Sequence, residues 1–223
     1  MTEPFIIAVD GPAASGKGTI SKLLAKHFGL NHLDTGLLYR AVGLAMLETG
    51  GDLDDPAACQ SVASQLDLTT LDPDVLAQHH VGEAASKVAV HPPVRAALLE
   101  AQRQFADALP GAVLDGRDIG TVVCPNAQAK LYITASLEAR AARRHAQAVV
   151  KDPSTKLEAI SADLAKRDAR DSGRSNAPLA QANDALLLDT TNLGIDAAFE
   201  AAQAFVANKL QTLANRTPTG LTR

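Results

Sequence analysis

The chain has 223 residues, a formal net charge of −4 at pH 7, 46% apolar and 21% charged residues. That length supports one sizeable core, and no apolar run approaches the roughly 20 residues of a membrane span. The acidic balance argues against a duplex nucleic-acid or membrane partner, so any anion site must come from local arginine clusters.

Aromatic residues make up only 3% and Trp is absent, so Leu, Ala, Val and Ile must build the core. Cys59 and Cys124 stand at no metal or redox spacing and read as reduced thiols. The N-terminus lacks a charged-then-apolar signal, which predicts a cytoplasmic protein. The patch-poor composition predicts a monomer.

The apolar run Phe5–Val9 predicts a strand, and Asp10-Gly11-Pro12-Ala13-Ala14-Ser15-Gly16-Lys17-Gly18-Thr19 follows it as a G-x-x-x-x-G-K loop. Ile20, Leu23, Leu24, His27 and Phe28 then mark one face of a helix. Strand, glycine loop and helix in that order are what a phosphate-binding loop requires, where an ordinary glycine-rich turn needs none of it. Backbone N–H groups turn inward around a phosphate, and the helix N-terminus adds partial positive charge. Lys17 can reach terminal phosphates, and Thr19 supplies the hydroxyl nearest a metal.

Gly29 predicts a helix C-terminus, Asn31–Asp34 a short strand, and Thr35-Gly36 the start of a second helix that Gly50-Gly51 ends. Thr35 reads as an N-cap, which leaves a ligand role open. From Asp52 to Pro110 the pattern is mostly helical and more polar, which predicts an insertion. His79, His80 and His91 have no carboxylate or cysteine partners at metal spacing and read as surface residues. Strands are predicted at Ala112–Asp115, Ala129–Thr134 and Ala185–Asp189, and a last helix carries Ala198, Phe199, Ala202, Phe205 and Val206 on one face. From Asn215 the tail is polar and reads as frayed. Apolar strands alternating with amphipathic helices argue for a parallel sheet covered on both faces, whose ligands bind beyond the carboxyl ends of the strands. The glycine loop, Asp34-Thr35 and Asp115-Gly116-Arg117-Asp118 all fall there.

Arginines form the second signal. Ser136 can cap a helix in which Arg140, Arg143 and Arg144 share a face. After a loop at Lys151-Asp152-Pro153, Thr155 and Glu158 predict a capping box, with Leu157, Ile160 and Leu164 as the buried stripe. Arg167, Arg170, Asp171 and Arg174 share a face if that helix outlasts Gly173. Two such arms suit a lid over phosphates; a solvated, salt-bridged helix face is the alternative. Asp115 can hold magnesium through water, Arg117 can grip a phosphate and Asp118 can accept from a base or sugar, unless the stretch is a plain turn around Gly116.

Together these stretches resemble bacterial cytidylate kinases, of the nucleoside monophosphate kinase group. The likeness rests on the glycine loop, on Leu33-Asp34-Thr35-Gly36 with Tyr39-Arg40, and on Ala85-Ser86-Lys87-Val88-Ala89 with Pro93-Val94-Arg95. It rests further on Asp115-Gly116-Arg117-Asp118-Ile119-Gly120-Thr121-Val122-Val123 and Arg167-Asp168-Ala169-Arg170-Asp171 with Arg174, and it spans residues 4 to 210.

The resemblance implies a single P-loop NTPase domain with a five-stranded parallel sheet. Its core would be about 4–51, 111–135 and 176–210, with an acceptor-binding insertion at about 52–110 and a lid at about 136–175. It implies transfer of the ATP γ-phosphoryl group to CMP or dCMP, with Mg2+ and with Lys17, Arg117 and Arg174 catalytic. Gly11 to Thr19 would bind ATP. Thr35, Tyr39, Arg40, Ser86, Arg95, Arg117, Asp118, Arg167, Asp171 and Arg174 would bind CMP. Arg140, Arg143, Arg144 and Arg170 would belong to the lid, and Thr19 and Asp115 would meet the metal indirectly. The chain departs from the family pattern between Leu66 and Glu83, which is short and has Leu76-Ala77-Gln78 where an isoleucine-arginine-threonine run is expected. Rival readings are a kinase for another acceptor such as AMP, and a nucleotide-dependent switch; the chain lacks the N-K-x-D guanine reader a switch of that kind would carry.

Overall fold

A computed structural model describes residues 3–66, 73–150 and 152–216. Five parallel strands form one sheet: β1 (Phe5–Asp10), β2 (Asn31–Asp34), β3 (Gly111–Gly116), β4 (Ala129–Thr134) and β5 (Leu186–Asp189), in the order β2-β3-β1-β4-β5. β1 therefore lies at the centre, paired to β3 with Asp10 opposite Gly116 and to β4 with Asp10 opposite Tyr132. All the strands point the same way, so their carboxyl ends open on one edge of the sheet.

Both faces are covered, as continuous apolar strands require. On one face α1 (Lys17–Phe28) and α9 (Ile195–Arg216) bury Ile20, Leu24, Ala198, Ala202 and Val206 against Ile7, Val9, Leu131 and Ile133. On the other, α6 (Pro92–Asp107) and a π-helical turn at Ile119–Val123 close over Ala8, Ala112 and Leu114. His27 is exposed and sets its ring edge-on against Phe28 and Phe199.

The stretch expected as a helical insertion holds α3 (Pro56–Ser64), α4 (Pro73–Leu76), α5 (His79–Val88) and α6, packed on α2 (Gly36–Glu48) through Leu38, Val42, Met46, Val88, Val94 and Leu98. α2 and α5 approach closely at Gly43, where a Cβ would come within 2.8 Å of the Ala85 backbone nitrogen. Part of the Leu66–Glu83 segment, residues 67–72, lies outside the described residues. His91 is buried, not on the surface as expected, because its Nε2 bonds the Leu53 carbonyl at 2.8 Å and ties α6 to the loop after α2.

α7 (Leu137–Ala148) and α8 (Leu157–Ser172) form the arginine-rich arm, packed on the glycine loop through Ala13, Ala141, Ile160 and Leu164. Ser136 caps α7 by accepting from the Ala139 N–H. The capping box at Thr155 and Glu158 does not form: α8 starts at Leu157 with Lys156 at its cap, and the Thr155 N–H donates to the Asp152 carbonyl at 3.1 Å while its carbonyl is bonded by His145. Lys151 of the connecting loop lies outside the described residues. The tail expected to fray is helical at Asn215 and Arg216 as the end of α9, and residues 217–223 lie outside the described residues.

Candidate active site

Gly11 to Gly16 turn the chain from β1 into α1, and two close demands fix the glycines. A Cβ at Gly11 would sit 2.0 Å from the Ile133 carbonyl oxygen, and Gly16 takes a φ of +89°. The carbonyl of Gly16 accepts from the N–H groups of Thr19 and Ile20, which starts α1 at Lys17. The Lys17 ammonium lies 3.4 Å from the Pro12 carbonyl, folded back along the loop. Burial, reinforced by Arg117, pushes its pKa down to about 8, against the pull of Asp115 and Asp34.

Asp115, the last residue but one of β3, lies beside Asp34 at the end of β2, in the register Asp34 opposite Asp115. Burial, and then the Asp115 charge, push the Asp34 carboxyl above its ordinary range, and its Oδ1 accepts from the Gly36 N–H at 2.9 Å. His32 Nε2 meets Asp115 Oδ2 at 2.9 Å and orients that carboxylate. Thr35 is not the side-chain cap of α2 that its type suggests. It is buried, and its hydroxyl donates to the Asp115 carbonyl at 2.8 Å, which joins β2 to β3.

Arg117 leaves the end of β3 and reaches α8: its Nε donates to Asp171 Oδ2 at 2.8 Å. Burial works against the charge of Arg117, but Asp171 more than offsets it and the pKa stands above its ordinary value. Gly173 ends α8, so Arg174 sits beyond the helix and folds back, its Nε donating to the Asp171 carbonyl at 3.2 Å. Arg167 Nε lies 3.9 Å from Asp171 Oδ2. Among the described residues, Arg167 Nε and Arg174 Nη2 are buried with no hydrogen-bond partner. Burial and then Arg117 lower Arg167 to about 10, and burial and then Arg95 lower Arg174. Arg167 and Arg174 are thus desolvated and crowded by other cations beyond what Asp171 offsets, as suits a site that receives an anion.

Deeper in, Arg95 of α6 and Asp118 form an ion pair at 2.5 Å, both buried, with the guanidinium 5.4 Å over the Tyr39 ring. Ser86 on α5 accepts from Arg170 Nη1 of α8 at 2.6 Å, and Arg170 also faces Glu83 at 3.7 Å. Arg40 donates to the carbonyls of Leu76 and Gln78, so the segment that departs from the family pattern holds this arginine by its backbone.

The chain matches the family model described as cytidylate kinase over residues 7–208. It is 56% identical over 207 residues to the cytidylate kinase of Brucella suis biovar 1 (strain 1330), covering 93% of this chain and 94% of the relative. Identity to that of Azorhizobium caulinodans is 59% over 202 residues, covering 91% and 98%. To that of Rhizobium meliloti it is 55% over 202 residues, covering 91% and 95%. The chain belongs to the cytidylate kinase family.

Membership makes the chain a kinase and gives the cationic cleft of this cytidylate kinase family fold its sense. The four arginines grouped above as a lid nevertheless do different things. Arg140 is buried, bonded to the carbonyls of Ala135 and Ala13 and paired with Asp168 at 2.7 Å. Arg143 bonds Thr190 through both its hydroxyl and its carbonyl. Arg170 turns to Ser86. Arg144 makes one long bond, 3.4 Å to Gln147, and its charge falls on Arg40 across the cleft.

Four side chains receive no role from a reading of the motifs: Asp10, His32, Asp168 and Thr190. Thr190 follows β5 and donates to the Ser15 carbonyl at 3.0 Å, which fastens the phosphate loop to the edge of the sheet. Asp168 holds Arg140 through one oxygen while the other, Oδ1, is buried with no partner among the described residues. Only Asp10 carried a usable signal, an acidic residue closing an apolar strand.

Proposed function

We propose that the chain transfers the γ-phosphoryl group of ATP to CMP or dCMP, giving ADP and CDP or dCDP. The observation that carries this reading is the convergence of Lys17 with Arg117, Arg167 and Arg174, two of them with unpartnered buried N–H groups. Phosphoryl transfer asks for positioning and positive charge around the moving group and little covalent chemistry.

ATP phosphates lie on the amides of Gly11 to Thr19 with Lys17 at their end, and Arg144 meets them from α7. The acceptor phosphate is held by Arg40, Arg117 and Arg174, and the sugar by Arg167 and Asp171. Cytosine faces Arg95 and Asp118, with Ser86 and Tyr39 beside it. The 4-amino group of cytosine donates to the Asp118 carboxylate, and its ring acceptors take N–H from Arg95. Uracil offers a carbonyl where cytosine has the amino group, so Asp118 would face an acceptor and reject it.

Magnesium fits the oxygen donors at the loop. The Thr19 hydroxyl is exposed on the first turn of α1, and the Asp115 carboxylate lies over Gly18, where a Cβ would be 3.9 Å from Oδ1. No cluster of three His, Cys, Asp or Glu side chains among the described residues could hold a metal alone, which suits a hard cation that keeps waters and phosphate oxygens as ligands. Thr19 and Asp115 would hold it, Asp115 through water, and when bound it neutralises charge on the transferring phosphates.

The acceptor oxygen is already anionic at neutral pH and attacks in line, so no strong general base is required. Closure of α7–α8 and of the insertion on the two nucleotides excludes water, which would otherwise take the phosphoryl group. The reading is tested by separating products: one CDP should appear for each ADP, with no free phosphate. ADP and inorganic phosphate in equal amounts, with CMP unchanged, would overturn it in favour of a nucleotide hydrolase.

A further inference from the structure

Asp10 ends the central strand, and no step above uses its carboxylate. It is 3% exposed, and both its oxygens are engaged: Oδ1 accepts from the Ile119 N–H at 2.7 Å and Oδ2 from the Gly120 N–H at 2.8 Å. Those two amides come directly after Arg117 and Asp118. They open the π-helical turn, which closes on itself through Val122 and Val123 N–H to the Asp118 carbonyl and Cys124 N–H to the Ile119 carbonyl. On its other side Asp10 is joined to Gly11, the first residue of the phosphate loop. One buried side chain thus links the backbone that carries the donor phosphates to the backbone that carries Arg117 and Asp118.

We propose that Asp10 is a positioning residue that sets the acceptor-reading groups Arg117 and Asp118 in register with the phosphate loop. The inference rests on the acceptor roles given to those two residues above. Two adjacent N–H groups aimed at one side chain require two acceptor oxygens at once, and only a carboxylate supplies both. Asparagine would set its NH2 against one of the two N–H donors, leaving a buried donor unpaired. A carboxylate that served packing alone would be poorly placed here. Burial pushes Asp10 up to about 7 despite the two amide bonds, with Asp118 adding to the rise and Arg117 opposing it. The other ionisable groups around it are Tyr132 and Cys124, and Lys130, whose stem lies beside Gly120. Lys130 gives its ammonium to the Pro125 carbonyl at 2.6 Å and Asp184 at 2.9 Å, so the two amides, more than the Arg117 charge, hold the Asp10 carboxylate.

The test measures kcat and KM separately for CMP and ATP, from pH 5.5 to 9, in the wild type and in Asp10→Asn. Asp10→Asn should raise KM for CMP about tenfold or more and leave KM for ATP within about twofold. The wild type should also lose CMP affinity as pH falls through about 7, a limb the variant lacks; the ionisation of the CMP phosphate itself, near about 6, remains in both. Asp10→Glu gives an independent route, because it keeps both acceptor oxygens but sets them one methylene further from the Ile119 and Gly120 N–H groups. It too should raise KM for CMP selectively, and it decides the matter if Asp10→Asn does not fold. Unchanged KM for CMP, or equal rises for both substrates, would overturn the inference. A wild type that does not phosphorylate CMP would instead overturn the reading beneath it.

Discussion

Arg117 at the end of β3 and Asp171 near the end of α8 meet Nε to Oδ2 at 2.8 Å, 54 residues apart in the chain. This pair joins the sheet to the arginine-bearing arm and orders the guanidinium groups around it. Burial alone would raise the Asp171 carboxyl, but Arg117, Arg167 and Arg174 hold it below its ordinary range. A depressed carboxylate adds stability at any pH above its unfolded pKa, and that stability is lost as pH falls through about 4 and below. Asp171→Asn should therefore lower the melting temperature at pH 7 and narrow the gap at pH 3. It should also cost about a hundredfold in kcat/KM for CMP, because Arg117 loses its carboxylate anchor while Arg174 keeps only its bond to the Asp171 carbonyl. Melting curves at the two pH values check the sign.

In the proposed function Arg95 and Asp118 carry the choice of base. Asp118→Ala leaves a buried guanidinium without its partner, a loss of about 3–5 kcal/mol by analogy with other broken buried pairs. Asp118→Asn keeps the shape and can donate to a uracil carbonyl. The ratio of kcat/KM for CMP over UMP should fall by about tenfold or more in Asp118→Asn. Initial rates with each acceptor at subsaturating concentration measure it.

Much of the fold and part of the site were legible in the sequence, and the split has physical reasons. The five strands and the glycine loop were legible because continuous apolar runs and a strand–loop–helix order are local signals. Ser136 as a cap and Gly29 as a helix end were legible for the same reason. The capping box at Thr155 was not, because the Thr155 N–H that the Glu158 side chain would have taken donates to the Asp152 carbonyl at 3.1 Å. The burial of His91 and the bond from Thr35 to Asp115 depend on partners 38 and 80 residues away, which no spacing rule shows. Arg140, Arg143, Arg144 and Arg170 read alike in the sequence; only their tertiary partners separate them.

That separation is testable. Arg140→Ala removes bonds to Ala13, Ala135 and Asp168 in a buried place and should destabilise the fold by about 2–4 kcal/mol. Arg144→Ala should leave the melting temperature within about 1 °C and lower kcat by about tenfold, since its bond to Gln147 is exposed. Denaturant unfolding alongside steady-state rates distinguishes the anchor from the phosphate contact.

Lys17 gives a pH prediction with a definite sign. In the proposed function its ammonium is the form that holds phosphate, and burial brings its pKa down to about 8. ATP affinity of the unliganded enzyme should hold below that value and fall by about tenfold near pH 9. Calorimetric titration with ATP from pH 6.5 to 9.5 follows the loss. Lys17→Met should abolish the limb together with most of the turnover.

The central claim is that this cleft phosphorylates cytidine monophosphates and refuses other bases. The most direct measurement is ADP production from ATP and magnesium with CMP, dCMP, UMP and AMP offered separately. Turnover confined to CMP and dCMP, at least about a hundredfold above UMP and AMP in kcat/KM, is the result the Arg95–Asp118 pair predicts. Comparable turnover with AMP or UMP, or none with any acceptor, would contradict it.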